Sequence, residues 1–138
     1  MDDLPSHVLN RLRDKRFQWN DSMLSLNPLV TWEVVQANPD TQWDWGFLSR
    51  NPCITWEVVQ ANPDKRWDWV RLSCNPSITF DDVMTQLGRP WNWECLSQNP
   101  SITFKDVLAH PDMHWNWNSL SSHPSITFDN VLAHPEKP

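Results

Sequence analysis

The groups in this chain that could do chemistry are five histidines, three cysteines, 17 acidic side chains and recurring serines and asparagines, set among 11 tryptophans. Their spacing decides which chemistry is open to them. A zinc site needs three or four His, Cys or carboxylate ligands converging on one point. His110 and His114 are four residues apart, but Pro111 breaks the helix that would align them, and no cysteine or carboxylate completes a set. His110, His123 and His134 each stand directly before a proline, where Asn38, Asn51 or Asn62 stand in other parts of the chain. A polar structural role at a helix end is expected for them, and no metal or other cofactor.

Catalytic groups are also hard to find. Asp44, Asp68, Glu57 and Asp81 recur at fixed intervals, so no unique acid pair stands out for general acid–base work. Ser49, Ser73, Ser97 and Ser121 recur in the same way, and no G-x-S-x-G elbow surrounds any of them. Two glycines leave no room for a phosphate-binding loop. Enzymes usually break symmetry at one site, and this sequence shows none; a non-enzyme that binds no small molecule is expected.

Aromatic rings interleaved with basic residues bind single-stranded nucleic acid by stacking and charge neutralisation. Here the paired tryptophans enclose Asp or Asn, and the formal net charge is −6, so nucleic acid is not expected as a partner. The one basic run, RLRDKR at residues 11–16, reads as a solvated helix end. No apolar run approaches the roughly 20 residues of a membrane span, and the opening MDDLPSHVL is acidic, unlike a signal peptide. Cys53, Cys74 and Cys95 cannot all pair and show no CxxC spacing, which suits a reducing compartment. A soluble, intracellular protein is expected.

The recurrence itself is the main signal. Trp19, Trp43, Trp67, Trp91 and Trp115 are spaced 24 residues apart, as are Leu24, Leu48, Leu72, Leu96 and Leu120. Pro28 through Pro124 and Thr31 through Thr127 keep the same 24-residue step, without one insertion or deletion. A second tryptophan recurs at Trp45, Trp69, Trp93 and Trp117, with Asp21 in its place in the first copy. The unit reads W-[DN]-W-x-x-L-S-x-[NH]-P-x-[IV]-T-[WF]-x-x-V-x-x-[NH]-P, and its two prolines cut it into two short pieces.

Each piece carries a helix start. Thr79 and its counterparts are placed to cap the second helix, with Ile78 and Val83 as a hydrophobic staple across the cap. The same pairs are Val30/Val35, Ile54/Val59, Ile102/Val107 and Ile126/Val131. Asp or Asn caps the first helix, and the first Trp of each pair then staples to the Leu of its own copy, as Trp67 does to Leu72. The second Trp is placed either to stack on its counterpart one repeat along or to face solvent. The recurring Asn27, Asn51, Asn75 and Asn99 fit equally a stacked amide ladder and simple capping within one unit.

The expected fold is therefore all-α: a short solenoid of two-helix repeats in five copies over 19–138, with helices of about seven to nine residues that persist only by packing on one another. Residues 1–18 are expected to form an N-terminal capping helix within the same single domain, on the spacing of Leu4, Val8 and Leu12. The expected core is Trp19, Trp43, Trp67, Trp91 and Trp115, with Leu48, Leu72, Leu96, Leu120, Val59, Val83 and Val107. In the third copy, QLG replaces the second Asn-Pro, which predicts a helix running one or two residues further to a left-handed cap at Gly88. After the second helix of copy five no further helix covers Val131 and Leu132, so an open apolar end and a homodimer through it are expected.

Stretches such as NPSITFKDVLAHPDMHWNWNSLSSHPSITF resemble the Trp-rich repeats of giant double-stranded DNA viruses of amoebae, of the mimivirus and marseillevirus kind. The resemblance covers residues 19–135. It implies a viral repeat protein acting in the host cytoplasm or nucleus, or in the virion, and it implies no activity. The opening DLPSHVLNRL also resembles the first line of an F-box, through Leu4, Pro5, Val8 and Leu9, which would imply a ubiquitin-ligase adaptor.

The function expected from all of this is a non-catalytic protein–protein interaction module engaging a host or viral partner. The alternative is a structural virion component that self-assembles. The candidate interaction surface is Trp45, Phe47, Trp69, Arg71, Trp93, Glu94, Trp117 and Asn118, with the neighbouring variable residues Gly46, Val70, Cys95 and Ser119.

Overall fold

The computed structural model describes residues 20–133, and every regular element among them is a helix. In chain order these are α1 (Asp21–Leu26), α2 (Trp32–Ala37), α3 (Trp45–Arg50), α4 (Trp56–Ala61), α5 (Trp69–Ser73), α6 (Phe80–Thr85), α7 (Trp93–Gln98), α8 (Phe104–Ala109), α9 (Trp117–Ser121) and α10 (Phe128–Ala133). The architecture is the all-α helical repeat expected, two helices to each 24-residue unit. The proposed capping helix over 1–18, Trp19 and the F-box-like opening lie outside the described residues.

The helices are five or six residues long, shorter than the spacing predicts. The reason for the early stop is visible at the caps. Asn27, Asn51 and Asn99 leave the helix in extended conformation, with ψ of 122°, 130° and 123°. Each precedes a proline, whose ring excludes the helical region for the residue before it. The N-termini follow the expectation: Thr31, Thr55, Thr79 and Thr103 accept from the third helical N–H, and Asn20, Asp44, Asn92 and Asn116 do the same for the first helices. Thr79 with Asp82 and Thr103 with Asp106 close reciprocal capping boxes.

One expectation is overturned. Helix α6 does not run on to Gly88: it ends at Thr85, and Gln86 adopts φ −141°, ψ 55°, close to Asn62 at −130° and 60°. No glycine among the described residues has positive φ. The exit conformation is held without its proline because the indole of Trp91 donates to the Gln86 carbonyl at 2.8 Å, as Trp67 does to Asn62 at 2.8 Å. A carbonyl held by an indole in this way stays in the exit geometry and does not extend the helix.

The chain divides into two compact units, Met1–Asp68 and Trp69–Pro138. In the first, α1 packs on α3. Its core gathers Val30, Val34, Val35, Trp43 and Leu48, with Leu24, Trp32 and Trp45 against them. In the second, α7 packs on both α5 and α9. Its core repeats the same positions one or more steps on: Leu72, Ile78, Val83, Trp91, Leu96, Ile102, Val107, Trp115 and Leu120 are all buried. Helices of this length are unstable alone in water, so the repeat-to-repeat contacts carry the fold. No helix among the described residues is long and apolar enough to cross a membrane.

Candidate functional site

Three sets of side chains could have formed a site: the indoles, the recurring polar residues, and the residues that vary from copy to copy. The first tryptophans are core. Trp43, Trp67, Trp91 and Trp115 are 6–9 % exposed. Each indole N–H donates to the carbonyl five residues before it, at 2.8–3.0 Å. The bond satisfies the polar edge of a ring that is otherwise sunk among aliphatics.

The second tryptophans neither stack on their counterparts nor stand clear in solvent. Trp45 packs against Trp67 at 5.3 Å, Trp69 against Trp91 at 5.0 Å, and Trp93 against Trp115 at 5.2 Å, all near perpendicular. Each therefore meets the first tryptophan of the next repeat, and edge-to-face pairs of this kind contribute about 0.5–1.5 kcal/mol beyond area burial. Trp117 is also half-buried. Two of the rings carry a cation as well: Lys65 Nζ lies 5.5 Å from the Trp45 ring and the Arg89 guanidinium 5.2 Å from Trp69. Lys65 and Arg89 occupy the same repeat position, 24 residues apart.

The recurring serines have a role that their recurrence alone did not disclose. Ser25, Ser49, Ser73 and Ser97 are 0 % exposed. Their hydroxyls accept the backbone N–H of Asp44, Asp68, Asn92 and Asn116 respectively, each at 2.9 Å and 19 residues further on. Ser49, Ser73 and Ser97 in turn donate to the carbonyls of Trp45, Trp69 and Trp93 at 2.6–2.7 Å. A hydroxyl can give one proton and take two, so one atom ties a helix to the next repeat. The available signal was the residue type: a small hydroxyl held in step beside a buried leucine.

The asparagines serve both of the roles left open. Asn51 Nδ2 donates to the carbonyls of Ser25 and Asn27, at 3.0 and 3.1 Å, and Asn99 Nδ2 to those of Ser73 and Asn75, both at 2.9 Å. Their Oδ1 atoms take the N–H two residues on, at Cys53 and Ser101, which forms the turn into the proline. Ladder and cap are the same side chain. His123 substitutes at this position: Nε2 lies 2.7 Å from the Asn99 carbonyl, and Nδ1 accepts from Ser125 N–H at 3.1 Å. Those two partners assign the proton to Nε2. His110 instead offers its carbonyl to Trp115, and its ring lies 5.2 Å from Phe80.

Among the described residues no three His, Cys, Asp or Glu are grouped to hold a metal ion. The described cysteines are free thiols. Burial, helped by the nearby negative charge of Glu33, pushes the Cys53 thiol up to about 11 from an ordinary 9.0. A thiolate is the nucleophile in alkylation, so Cys53 in the folded protein should react with iodoacetamide at pH 8 many times more slowly than the same cysteine in urea. The sign for stability follows from linkage. Well below pH 9 the thiol is almost wholly neutral folded and unfolded and contributes nothing pH-dependent; as pH rises through 9 toward 11 the unfolded chain ionises ahead of the folded one, and stability falls. Mass spectrometry of alkylated protein checks the first expectation: equal rates folded and unfolded would contradict it.

The variable residues divide. Phe47 and Cys95 are half-buried, whereas Val70, Arg71, Glu94 and Asn118 are exposed. Ser119 leaves the expected surface altogether: it is buried and accepts from Gln98 Nε2 at 3.2 Å. In the second unit, α5, α7 and α9 thus present Val70, Arg71, Glu94 and Asn118 to solvent, a mixed apolar and charged set. Comparison of the chain with models of protein families, with curated proteins and with solved structures returned no match.

Proposed function

We propose that this chain is a non-catalytic protein-interaction module of the helical-repeat kind, serving a virus by engaging a host or viral protein through the exposed residues of its second unit. One observation carries the reading. The polar residues that recur, namely the serines, the asparagines and the capping threonines and aspartates, are taken up by bonds within and between repeats. The residues that differ from copy to copy, Val70, Arg71, Glu94 and Asn118, are the ones turned outward on α5, α7 and α9. Repeat proteins commonly divide labour in this way, with framework positions repeated and the binding face varied. Arg71 is exposed and of a residue type enriched at the energetic centres of protein interfaces, and Val70 beside it is 49 % exposed.

The test compares the natural chain with a variant carrying Val70→Ser, Arg71→Ser, Glu94→Ser and Asn118→Ser as baits in infected host cells. The substitutions touch only exposed positions, so circular dichroism should be unchanged. Proteins retained by the natural chain and lost with the variant are the expected result. An identical set of retained proteins with both baits would contradict the assignment of this face.

A further inference from the structure

The three cysteines do not share a repeat position. Cys53 stands where later copies have Ser77 and Ser101. Shifted by one 24-residue repeat, Cys74 becomes Gln98 and Cys95 becomes Ser119. That second pair is in contact: Gln98 Nε2 donates to Ser119 Oγ at 3.2 Å, from the end of α7 to the first turn of α9. The frame around both pairs is the same. Asn116 N–H reaches Ser97 Oγ at 2.9 Å, and the Asn116 side chain takes the Ser119 N–H at 3.0 Å. Asn92 N–H reaches Ser73 Oγ at 2.9 Å, and the Asn92 side chain takes the Cys95 N–H at 2.8 Å. Cys74 follows Ser73 as Gln98 follows Ser97, and its own N–H bonds the Arg71 carbonyl at 3.0 Å. The two thiols therefore face each other across the seam between α5 and α7, and both are half-buried.

We propose that Cys74 and Cys95 are a redox site: a dithiol that a small disulfide, oxidised glutathione, converts into an intramolecular Cys74–Cys95 bond joining α5 to α7. One thiol, deprotonated, attacks a sulfur of oxidised glutathione; that S–S bond breaks, and one glutathione leaves as a thiolate and takes up a proton. The other protein thiol gives up its proton and attacks the protein sulfur of the mixed disulfide, and the second glutathione leaves in the same way. The protein loses two electrons and two protons, and the two glutathione thiols carry them. Position decides the pair. Folding sets these sulfurs on helices that already pack on each other, so the second attack is intramolecular. Cys53 lies in the first unit, and its thiol, kept neutral by burial, is a poor nucleophile. The bond closes a loop across one repeat contact and restricts the unfolded chain, so the oxidised protein should resist urea better than the reduced one. It forms whatever the outward residues of α5, α7 and α9 bind, and the two proposals stand or fall apart.

The test uses the full reduced chain, equilibrated at pH 8 with mixtures of reduced and oxidised glutathione, in buffer and in urea, then quenched with acid and read by peptide mass spectrometry. The expected product is one intramolecular link between the peptides that hold Cys74 and Cys95, with Cys53 still a thiol. Half-oxidation of the pair should need at least about tenfold less oxidised glutathione in buffer than in urea, because folding holds the sulfurs together. Cys74→Ser and Cys95→Ser should each stop at a glutathione adduct on the partner cysteine, for want of the second thiol. Cys53→Ser should link as the natural chain does. The first two substitutions install what the last copy carries at those positions, Ser122 and Ser119, so circular dichroism should be unchanged. Glutathione adducts or untouched thiols at Cys74 and Cys95 in the folded natural chain, without the link, would overturn the proposal. So would a link that forms equally well in buffer and in urea, one that involves Cys53, or one that joins two molecules.

Discussion

Replacing Trp91 by alanine should lower the free energy of unfolding by about 3–5 kcal/mol, the range for deleting a buried large aromatic. Three losses combine. The ring is 7 % exposed and fills space among the aliphatics of the second unit. Its indole N–H is the donor that holds the Gln86 carbonyl in the non-helical exit at 2.8 Å, in the one copy where no proline does that work. It packs perpendicular to Trp69 at 5.0 Å, so Trp69 and the guanidinium of Arg89 upon it lose their support. Domains of this size are stable by only about 5–15 kcal/mol, so the variant should unfold at a much lower urea concentration. Trp45→Ala should cost less, on the order of 1–3 kcal/mol, because that ring is half-buried and its loss strips two ring contacts, to Trp67 and Trp32, and one cation. Equal and negligible shifts at both positions would mean that the indoles do not hold the repeats together.

Asn99→Ala should cost on the order of 2–4 kcal/mol, from a residue with no charge and little apolar surface. The side chain is 1 % exposed and its amide serves the carbonyls of Ser73 and Asn75 at once, while its oxygen takes the Ser101 N–H. Alanine removes all three bonds from a buried place; the Asn75 carbonyl keeps the Ile78 N–H at 3.0 Å, but an unmade bond there costs more than a made one contributes. Asn99→Asp is the sharper variant. It sets a carboxylate oxygen against two carbonyl oxygens, so it should be worse than alanine at neutral pH and should recover part of the loss at low pH, where the carboxyl becomes a donor. Asn99→His should be the mildest of the three, since His123 already makes the equivalent single bond, to Asn99 O at 2.7 Å. Urea denaturation of the three variants gives the order; aspartate equal to histidine would refute the ladder.

These two residues also show what the sequence could and could not tell. The period, the caps and the burial of the first tryptophans are legible because each rests on local rules: proline ends a helix, a hydroxyl or carboxylate starts one, and an apolar residue in strict step must be covered. Helix length was overestimated because the spacing counts residues between prolines, whereas the residue before each proline is already extended. The exit at Gln86 was misread for the opposite reason. Its cause is a bond from Trp91, five residues away, which no local rule contains. The pairing of Trp45 with Trp67, the hydroxyl link from Ser25 to Asp44 and the amide link from Asn51 to Ser25 all join residues 19–26 apart. A period says that such partners exist; only the superposition of one repeat on the next says which atoms they are. The outward residues of α5, α7 and α9 were identified by variation alone, and the one removed by the structure, Ser119, is the one whose partner, Gln98, lies a repeat away.

Backbone amide hydrogen exchange at Asp44, Asp68, Asn92 and Asn116 tests the repeat-to-repeat interface most directly. These N–H groups precede their helices, and the bond each makes is to the serine hydroxyl of the preceding repeat at 2.9 Å. Slow exchange, comparable to the interior amides of Leu48 and Leu96, is the predicted result. Exchange at the four capping positions as fast as in an unstructured peptide, while the helical amides stay protected, would show helices that form without being joined, and would contradict the account.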